Sequence, residues 1–576
     1  MGASSSRDEA AALEFVDRVT SENGVTVFSK SYCPYCHMVR VWKRVITGEV
    51  SCLKYHVVEL DQKSDAPSGG DIQNALAATT GKKLSTRSLG VGVGDLVVAA
   101  NSASTGVVLR LGRRTVPNVF IQKESIGGGT DVQALFQSGR LTEMLRTAGV
   151  VDKPFDVIVY GATGFTGALV ARHMAAEADS ALGSPKALKW AMAARSEAKL
   201  AQVKEQLKEH LPEVSAELID AIPVVVADSG DEASLVAMVK QTKVVVSLVG
   251  PYKLYGSLLV KACAENGVHY CDLTGEIIWI DEVTAKYADA AAKSGAVLVN
   301  CCGFESIPSD LTTFLVTDRI QQKYNAATGQ VDFYFTKFVG EASGGTLATV
   351  FTIMETSTSK QLLASRNPFF LTDAATIAKK QAAGLIKPNS SGVAVRHDKA
   401  MGFWHSIFMG ASVNQAIVHR SNQRLQGKYG DKFVCHERMA IGGFFMQLAA
   451  TIGTVVLSTM LYFKWTRVLL KRLARAPGEG PSEEAMRKGF FIAEAAGYSE
   501  DGKLAVKAKT VGSGDPGYRL TSRLISECAF CLANGEFEMP EGLKGGFYTP
   551  ASAFGHKLAD RLHRKKFITF DLKDVQ

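Results

Sequence analysis

Apolar positions along the chain alternate between two kinds of run. Val25-Thr26-Val27-Phe28, Phe155-Asp156-Val157-Ile158-Val159-Tyr160 and Leu188 to Ala194 read as buried strands, each running into a polar or glycine-bearing turn. Helical spacing follows them, as it does around Ala10 to Val19, so the pattern predicts an α/β architecture built of strand-turn-helix units. Ile441 to Phe463 departs from this pattern, with 23 residues and no charge, followed by Lys464, Arg467, Lys471, Arg472 and Arg475 with Trp465 among them. Length alone licenses a membrane-spanning helix. A single crossing would put residues 1–440 and 464–576 on opposite sides, so a monotopic or re-entrant insertion, with the basic residues on anionic headgroups, is the favoured reading, and a buried core helix is the alternative.

Composition narrows the class. With 576 residues, 46% hydrophobic and 21% charged, the chain is neither disordered nor a single small module. Its net charge of +8 is spread thinly, which favours anionic lipid or phosphate partners over nucleic acid. Ten cysteines are too sparse for a secreted disulfide scaffold, and no apolar leader follows the start, so a reducing, cytoplasmic setting is expected. Met1-Gly2-Ala3-Ser4-Ser5-Ser6 fits N-myristoylation at Gly2, and equally an ordinary flexible start over residues 1–12.

The strand at Val25 leads into Ser29-Lys30-Ser31-Tyr32-Cys33-Pro34-Tyr35-Cys36. A helix N-terminus and the Lys30 ammonium both favour the thiolate at Cys33, making it the nucleophile and Cys36 the resolving thiol. Half of a zinc site is the alternative, although no second ligand pair follows at metal spacing. With Arg114-Thr115-Val116-Pro117-Asn118-Val119-Phe120-Ile121 and Ile126-Gly127-Gly128-Gly129-Thr130-Asp131, this region resembles a dithiol glutaredoxin. The resemblance implies a thioredoxin-like domain over 13–149, a Cys33–Cys36 redox pair, and glutathione held by Lys30, Tyr35, Val116, Thr130 and Asp131 beside a cis Pro117. Residues 82–112 are an insert that the family pattern lacks, either a surface loop or an unspliced intron.

After Val151-Asp152-Lys153-Pro154, the strand ending at Tyr160 feeds Gly161-Ala162-Thr163-Gly164-Phe165-Thr166-Gly167 and a helix, the order in which backbone amides cradle a pyrophosphate. A structural turn is the alternative. Arg195 and Lys199 follow the next strand where an NAD site would place an acid, so NADPH is expected. Asp228 and Ser229 are candidates for the adenine edge, and Gly250 and Pro251 for the nicotinamide end. Tyr252, Asp272 and Glu276 are candidate proton donors at strand ends, with Tyr252 the first choice. Together with Tyr270-Cys271-Asp272-Leu273-Thr274-Gly275-Glu276, Gly303-Phe304-Glu305-Ser306-Ile307-Pro308-Ser309-Asp310 and Gly514-Asp515-Pro516-Gly517-Tyr518, these motifs resemble saccharopine dehydrogenase-like oxidoreductases, in the branch that includes trans-acting enoyl reductases. The resemblance implies a Rossmann domain over 155–300, an α+β substrate domain over 301–576 with residues 514–532 packing back on the first, and NADPH-dependent reduction of a lipid-linked substrate.

The leading expectation is a bifunctional redox protein at the cytoplasmic face of a membrane or lipid droplet. Its partners would be glutathione, protein disulfides and a lipid-like substrate, with no metal. Direct electron passage between the halves is not expected, because hydride-to-dithiol transfer calls for a flavin and no flavin motif is evident. Alternatives are a membrane-bound glutaredoxin carrying a non-catalytic NADPH-binding scaffold, and a saccharopine-type amino-acid dehydrogenase. Cys528 and Cys531 are either buried apolar residues or targets of the dithiol domain.

Overall fold

Strand and helix alternate in two units of the computed structural model, Met1–Lys153 and Pro154–Gln576. The structure describes residues 153–575 apart from 182–187, 341–343, 387–393, 474–479 and 540–544. Of the first 152 it describes 2–22, 25–31, 56–63, 67–79, 82–83, 97–98, 109–111, 118–121, 124–138, 140–141 and 144.

In the first unit, α1 (Gly2–Glu22) precedes β1 (Val25–Ser29), β2 (His56–Glu59), α2 (Gly69–Thr79), β3 (Asn118–Ile121), β4 (Glu124–Gly127) and α3 (Gly129–Gln137). The sheet order is β2-β1-β3-β4, with β1 parallel to β2 and antiparallel to β3, which is a thioredoxin-like arrangement. Ala12, Val16 and Val19 of α1 bury against Ile72, Ala75 and Leu76 of α2 on one face, while Val132 of α3 packs with Val25, Val27 and Val119 on the other. Residues 1–12 were expected to be flexible; instead the helix runs from Gly2, because the buried Ala12 stripe nucleates it and Ala10 and Ala11 favour propagation. Within 82–112, Lys82–Lys83, Val97–Val98 and Leu109–Leu111 form a separate antiparallel sheet in which Lys82 pairs with Leu111. The insert therefore leaves and returns at one place.

The second unit holds two seven-stranded sheets. The first contains β5 (Phe155–Tyr160), β6 (Trp190–Ala194), β7 (Val224–Val226), β8 (Thr242–Ser247), β9 (His269–Asp272) and β10 (Val297–Val299), with α4 (Phe165–Ala181) after β5. All pairs are parallel, in the order β7-β6-β5-β8-β9-β10, the doubly wound dinucleotide-binding topology. After α5 (Ile307–Tyr324), the second sheet takes β11 (Thr328–Val339), β12 (Arg396–Asp398), β13 (Phe403–Ile407), β14 (Val434–Met439), β15 (Phe490–Ser499), β16 (Leu504–Ser513) and a last strand, Ile568–Asp574. Between these lie α6 (Gly344–Thr356), α7 (Ala411–Arg424), α8 (Phe444–Tyr462) and α9 (Lys464–Leu473).

One expected boundary changes, and the readings of the apolar run narrow. The dinucleotide sheet does not end at residue 300, because Gly546–Tyr548 adds a seventh parallel strand beside β10, while Thr521–Ala533 (α10) packs back on α4 and β8 as expected of residues 514–532. The apolar run cannot be a single crossing. β14 before it and β15 after it both hydrogen-bond to β11, so both ends of the excursion belong to one sheet. Nor is it a core helix: of α8 only Gln447 and Thr451 are buried, both against Ser406.

Glu527 of α10 pins these late elements to the dinucleotide domain. Its carboxylate, with no exposed surface, meets Arg561 and Lys565 of α11 (Pro550–Arg564 and the cap that follows) and His173 of α4. His173, Glu177 and Glu527 converge as metal ligands would, but the two cations occupy the same carboxylates. Burial raises the Glu527 pKa, yet the His173 hydrogen bond and the charges of Arg561 and Lys565 outweigh it and hold the carboxyl at about 2. A value depressed from the usual 4.5 gives stability that is complete above 4.5 and is lost as pH falls toward about 2. Glu527→Gln should therefore cost about 2–4 kcal/mol at neutral pH and flatten the acid limb of a thermal-unfolding profile. A variant that keeps the wild-type acid limb would show that the cluster does not hold the fold together.

Candidate active site

The loop after β5 turns at Gly161, where φ is +91° and an added Cβ would meet Val249 at 2.8 Å. At Gly167 a Cβ would lie 2.0 Å from the Gly161 carbonyl oxygen, so α4 approaches the loop this closely only with glycine there. Gly164 is more tolerant, its nearest neighbour standing 3.4 Å from an added Cβ. Gly164, Phe165, Thr166 and Gly167 border a cavity at the N-terminus of α4, where the helix dipole favours a phosphate, and Thr163 lies partly exposed beside them. Arg195 and Lys199 are exposed after β6, and Asp228 and Ser229 follow β7. Ser229 hydrogen-bonds Tyr160, whose burial lifts its hydroxyl to about 12, with Asp228 and Arg195 also acting on it. Loop, cations and the Asp228–Ser229 pair thus share the carboxyl edge of the sheet, and this donor set fits a dinucleotide with a 2′-phosphate.

The opposite wall begins with Gly250 and Pro251, joined by a cis peptide bond. Tyr252 does not serve as expected. Its hydroxyl donates to the Ser247 carbonyl at 2.9 Å and accepts the Leu273 amide at 3.2 Å, and burial raises it well above 10. The phenol is a strut and not an available acid. Glu276 is engaged as well: Oε1 accepts the Tyr252 amide at 2.7 Å and Oε2 the Lys253 amide at 2.9 Å, capping the turn at Tyr252–Tyr255. Asp272 accepts Tyr270 Oη, Thr274 N, Asn300 Nδ2 and Cys301 N at 2.8–3.2 Å. Burial pushes its carboxyl up to about 6 against those four bonds. The Asp272 bond also holds Cys301 in the left-handed region, at φ +61°.

Two carboxyls that the sequence reading did not assign face the same space. Glu305, in the turn before α5, opens into the cavity and has no hydrogen-bond or ion-pair partner among the described residues. Its side chain is exposed to the cavity space, and desolvation by the walls around it, followed by the nearby Glu276, raises it to about 7. Glu437 of β14 is 3% exposed and also lines the cavity. The Glu305 motif was legible; Glu437 gave one signal, a carboxylate on the inward side of an alternating strand, Cys435 and Glu437 both being buried. The cavity is large, about 2270 Å³, and runs from the glycine loop past these carboxyls to Val455, Ser458 and Tyr462 of α8. Of the two readings of Cys528 and Cys531, the buried apolar one holds: neither has exposed surface, and Cys528 packs with Cys271 and Cys302.

In the first unit, Lys30 ends β1, and the pairing of Phe28 with Asn118 brings the start of β3 beside that end. Thr130 is exposed in the first turn of α3, while the Asp131 carboxylate accepts the Gly128 amide at 2.8 Å and caps that helix. Cys33, Tyr35, Cys36, Val116 and Pro117 lie outside the described residues, as does the side chain at Gly2.

Known proteins align with both units. Residues 157–299 match the saccharopine dehydrogenase NADP binding domain family. Two Mycobacterium tuberculosis relatives are 32% and 31% identical over 422 and 423 residues, each alignment spanning 71% of this chain and 96% of the relative, and the second is named trans-acting enoyl reductase. Reduced glutaredoxin C1 from Populus tremula x tremuloides is 32% identical over 25% of this chain and 92% of its own, with a TM-score of 0.18.

Arg195→Ala should weaken NADPH binding about tenfold or more while leaving NADH almost untouched, read by cofactor fluorescence titration. Equal losses for both cofactors would remove Arg195 from the 2′-phosphate. Gly167→Ala should abolish binding of either, because the loop cannot close.

Proposed function

The chain belongs to the trans-acting enoyl reductase family, and from that premise we propose that residues 154–576 reduce a lipid-linked enoyl substrate with NADPH at the cytoplasmic face of a membrane or lipid droplet. The observation that carries this reading is the continuity of the cavity. At about 2270 Å³ it exceeds the roughly 300–1000 Å³ of ordinary small-molecule sites, and its far wall is the exposed apolar helix α8. A compact amino-acid substrate leaves such a space unexplained, which disfavours the saccharopine-type alternative.

On this reading the chain's own residues do three things. The glycine loop and the α4 N-terminus hold a pyrophosphate, and Arg195 with Lys199 neutralises a 2′-phosphate. NADPH, when bound, supplies the reducing hydride. The struts at Tyr252, Glu276 and Asp272 keep the strand ends rigid, and the apolar walls around Phe335 and α8 exclude water from an acyl chain. Phe445, Met446, Ile452 and Val456 project outward from α8, and Trp465, Val468 and Leu469 from α9, with exposed Lys464 and Arg472 beside them. That apolar face with a basic flank suits an anionic lipid surface, and acylation at Gly2 would add a weaker second anchor.

For residues 13–149 we propose glutathione-dependent thiol-disulfide exchange, with Cys33 as nucleophile and Cys36 resolving, acting on glutathionylated or disulfide-bonded proteins. The motif around Cys33 and the thioredoxin-like sheet support this.

The deciding experiment follows NADPH oxidation with enoyl thioesters graded by chain length, in the presence of anionic vesicles. Turnover should rise with chain length. A protein that binds NADPH but reduces none of the panel would instead be a nucleotide-sensing scaffold. Phe445→Asp combined with Trp465→Glu should cut vesicle co-flotation about tenfold or more while leaving NADPH affinity intact. Cys33→Ser should eliminate glutathione-disulfide exchange without changing enoyl reduction, and residual exchange at the wild-type rate would refute the assignment of the nucleophile.

A further inference from the structure

We propose that Glu305, backed by Glu437, is the carboxyl pair that supplies the proton consumed when a substrate is reduced in this cavity; the proposal rests on the reductase reading above. The other acids in this part of the wall are committed to backbone amides, whereas these two retain free oxygens. Glu305 occupies space cleared by Gly275, where an added Cβ would stand 2.5 Å from one carboxylate oxygen and 2.7 Å from the other. Glu437 Oε1 accepts the Asn414 amide at 3.0 Å, and Asn414 in turn accepts Ser306 Oγ at 2.9 Å, so the chain of bonds ends in the residue next to Glu305. Its second oxygen, Oε2, is buried without a partner. An unpartnered carboxylate oxygen at 3% exposure is costly as an anion and is relieved when it carries a proton.

The groups acting on Glu305 are Glu276, Glu437 and the Cys301 thiol, and those on Glu437 are Asn414 and Ser309, whose hydrogen bonds favour the anion, then Glu305 and the Cys435 thiol. Among the described residues no Lys, Arg or His forms an ion pair with either carboxyl. Desolvation and then like charge act together and favour the acid forms, raising Glu305, which is exposed to the cavity space, to about 7 and the enclosed Glu437 to about 8. At neutral pH the pair holds at least one proton between them.

Reducing an enoyl group places a hydride on the β-carbon and a proton on the α-carbon. The hydride would bring the electron pair of the first new C–H bond, and its loss would leave the cofactor as NADP⁺. The former π pair forms the second C–H bond, taking the proton as the Glu305 O–H bond breaks and leaves a carboxylate. Glu437 or solvent then restores that proton.

The donor must be protonated, so turnover should fall as pH rises through about 7. Glu305→Gln should lower turnover about a hundredfold, with NADPH affinity unchanged, and should abolish this alkaline limb. Independently of activity, infrared difference spectra of the cofactor-free protein should show protonated-carboxyl absorbance that titrates near neutrality and loses one component in Glu305→Gln, the bands of Glu437 and Asp272 remaining. Gly275→Ala, which crowds the carboxyl without removing it, should displace both the limb and that component, and it serves if the glutamine variant does not fold. Wild-type turnover in Glu305→Gln with intact NADPH binding, or neutral-pH carboxyl absorbance left undiminished by the substitution, overturns the proposal alone. Failure of the wild type to bind NADPH overturns the reductase reading and the proposal with it.

Discussion

Two ladders of backbone hydrogen bonds on either side of β11 decide where the apolar helix can go. β14 pairs with β11 in parallel and β15 pairs with it antiparallel, so the chain must leave this sheet and come back to it within residues 440–489. Breaking either ladder would expose a row of amides and carbonyls in the middle of a seven-stranded sheet. Nineteen helical residues reach about 28 Å, yet that length is spent beside the sheet and not across a bilayer. Fixing both ends of the excursion also fixes what its inner face can be: Thr454, Ser458 and Leu461 close the cavity, while the outer face keeps its large apolar side chains uncovered.

The same constraint explains why the acids in the cavity behave differently from one another. Strand ends in a parallel sheet leave backbone amides that need acceptors, and Asp272 and Glu276 satisfy those amides. Their lone pairs are used up in holding the wall. Glu305 and Glu437 arrive from the turn before α5 and from β14, where the local backbone is already paired, so their oxygens are left for other partners. A wall that is mostly apolar makes an unpaired carboxylate expensive, and the cheaper state is the neutral acid.

What could be read from the sequence was local. The glycine loop, the cations after the second strand and the dithiol motif each carry their chemistry within a few residues, because a tight turn or a helix N-terminus is a short-range object. Gly161 and Gly167 show why: one takes a positive φ and the other permits a contact that no Cβ could survive. What escaped notice was long-range. The last strand of the dinucleotide sheet, Gly546–Tyr548, sits beside β10 although nearly 250 residues separate them, and no periodicity records such a pairing. Tyr252 looked like an acid because its type and position at a strand end were right. Its rotamer, which turns the hydroxyl onto Ser247, is decided by the packing against Trp279. Glu437 was hidden for the converse reason, since a strand with charges at alternate positions reads as half-solvated until the sheet above it is known.

An exposed apolar helix is also an energetic statement about docking. Phe445 at 83% exposure, Trp465 at 73%, Met446 at 61% and Ile452 at 56% each stand to gain about 1.5–3 kcal/mol on leaving water. Four such residues give roughly 6–12 kcal/mol before ordering costs, well beyond the marginal hold of one acyl chain at the N-terminus. The basic flank supplies orientation more than strength: Lys464 and Arg472 face solvent, whereas Lys471 is tied to Glu355 and Arg467 to the Leu461 and Tyr462 carbonyls. Arg467 thereby caps the end of α8 against the start of α9 and sets the bend that keeps both outer faces in reach of one surface. Ser458 and Tyr462 line the cavity on the same helix that carries this outer face, so under the proposed docking an acyl chain would pass from the lipid phase toward the glycine loop without crossing bulk water.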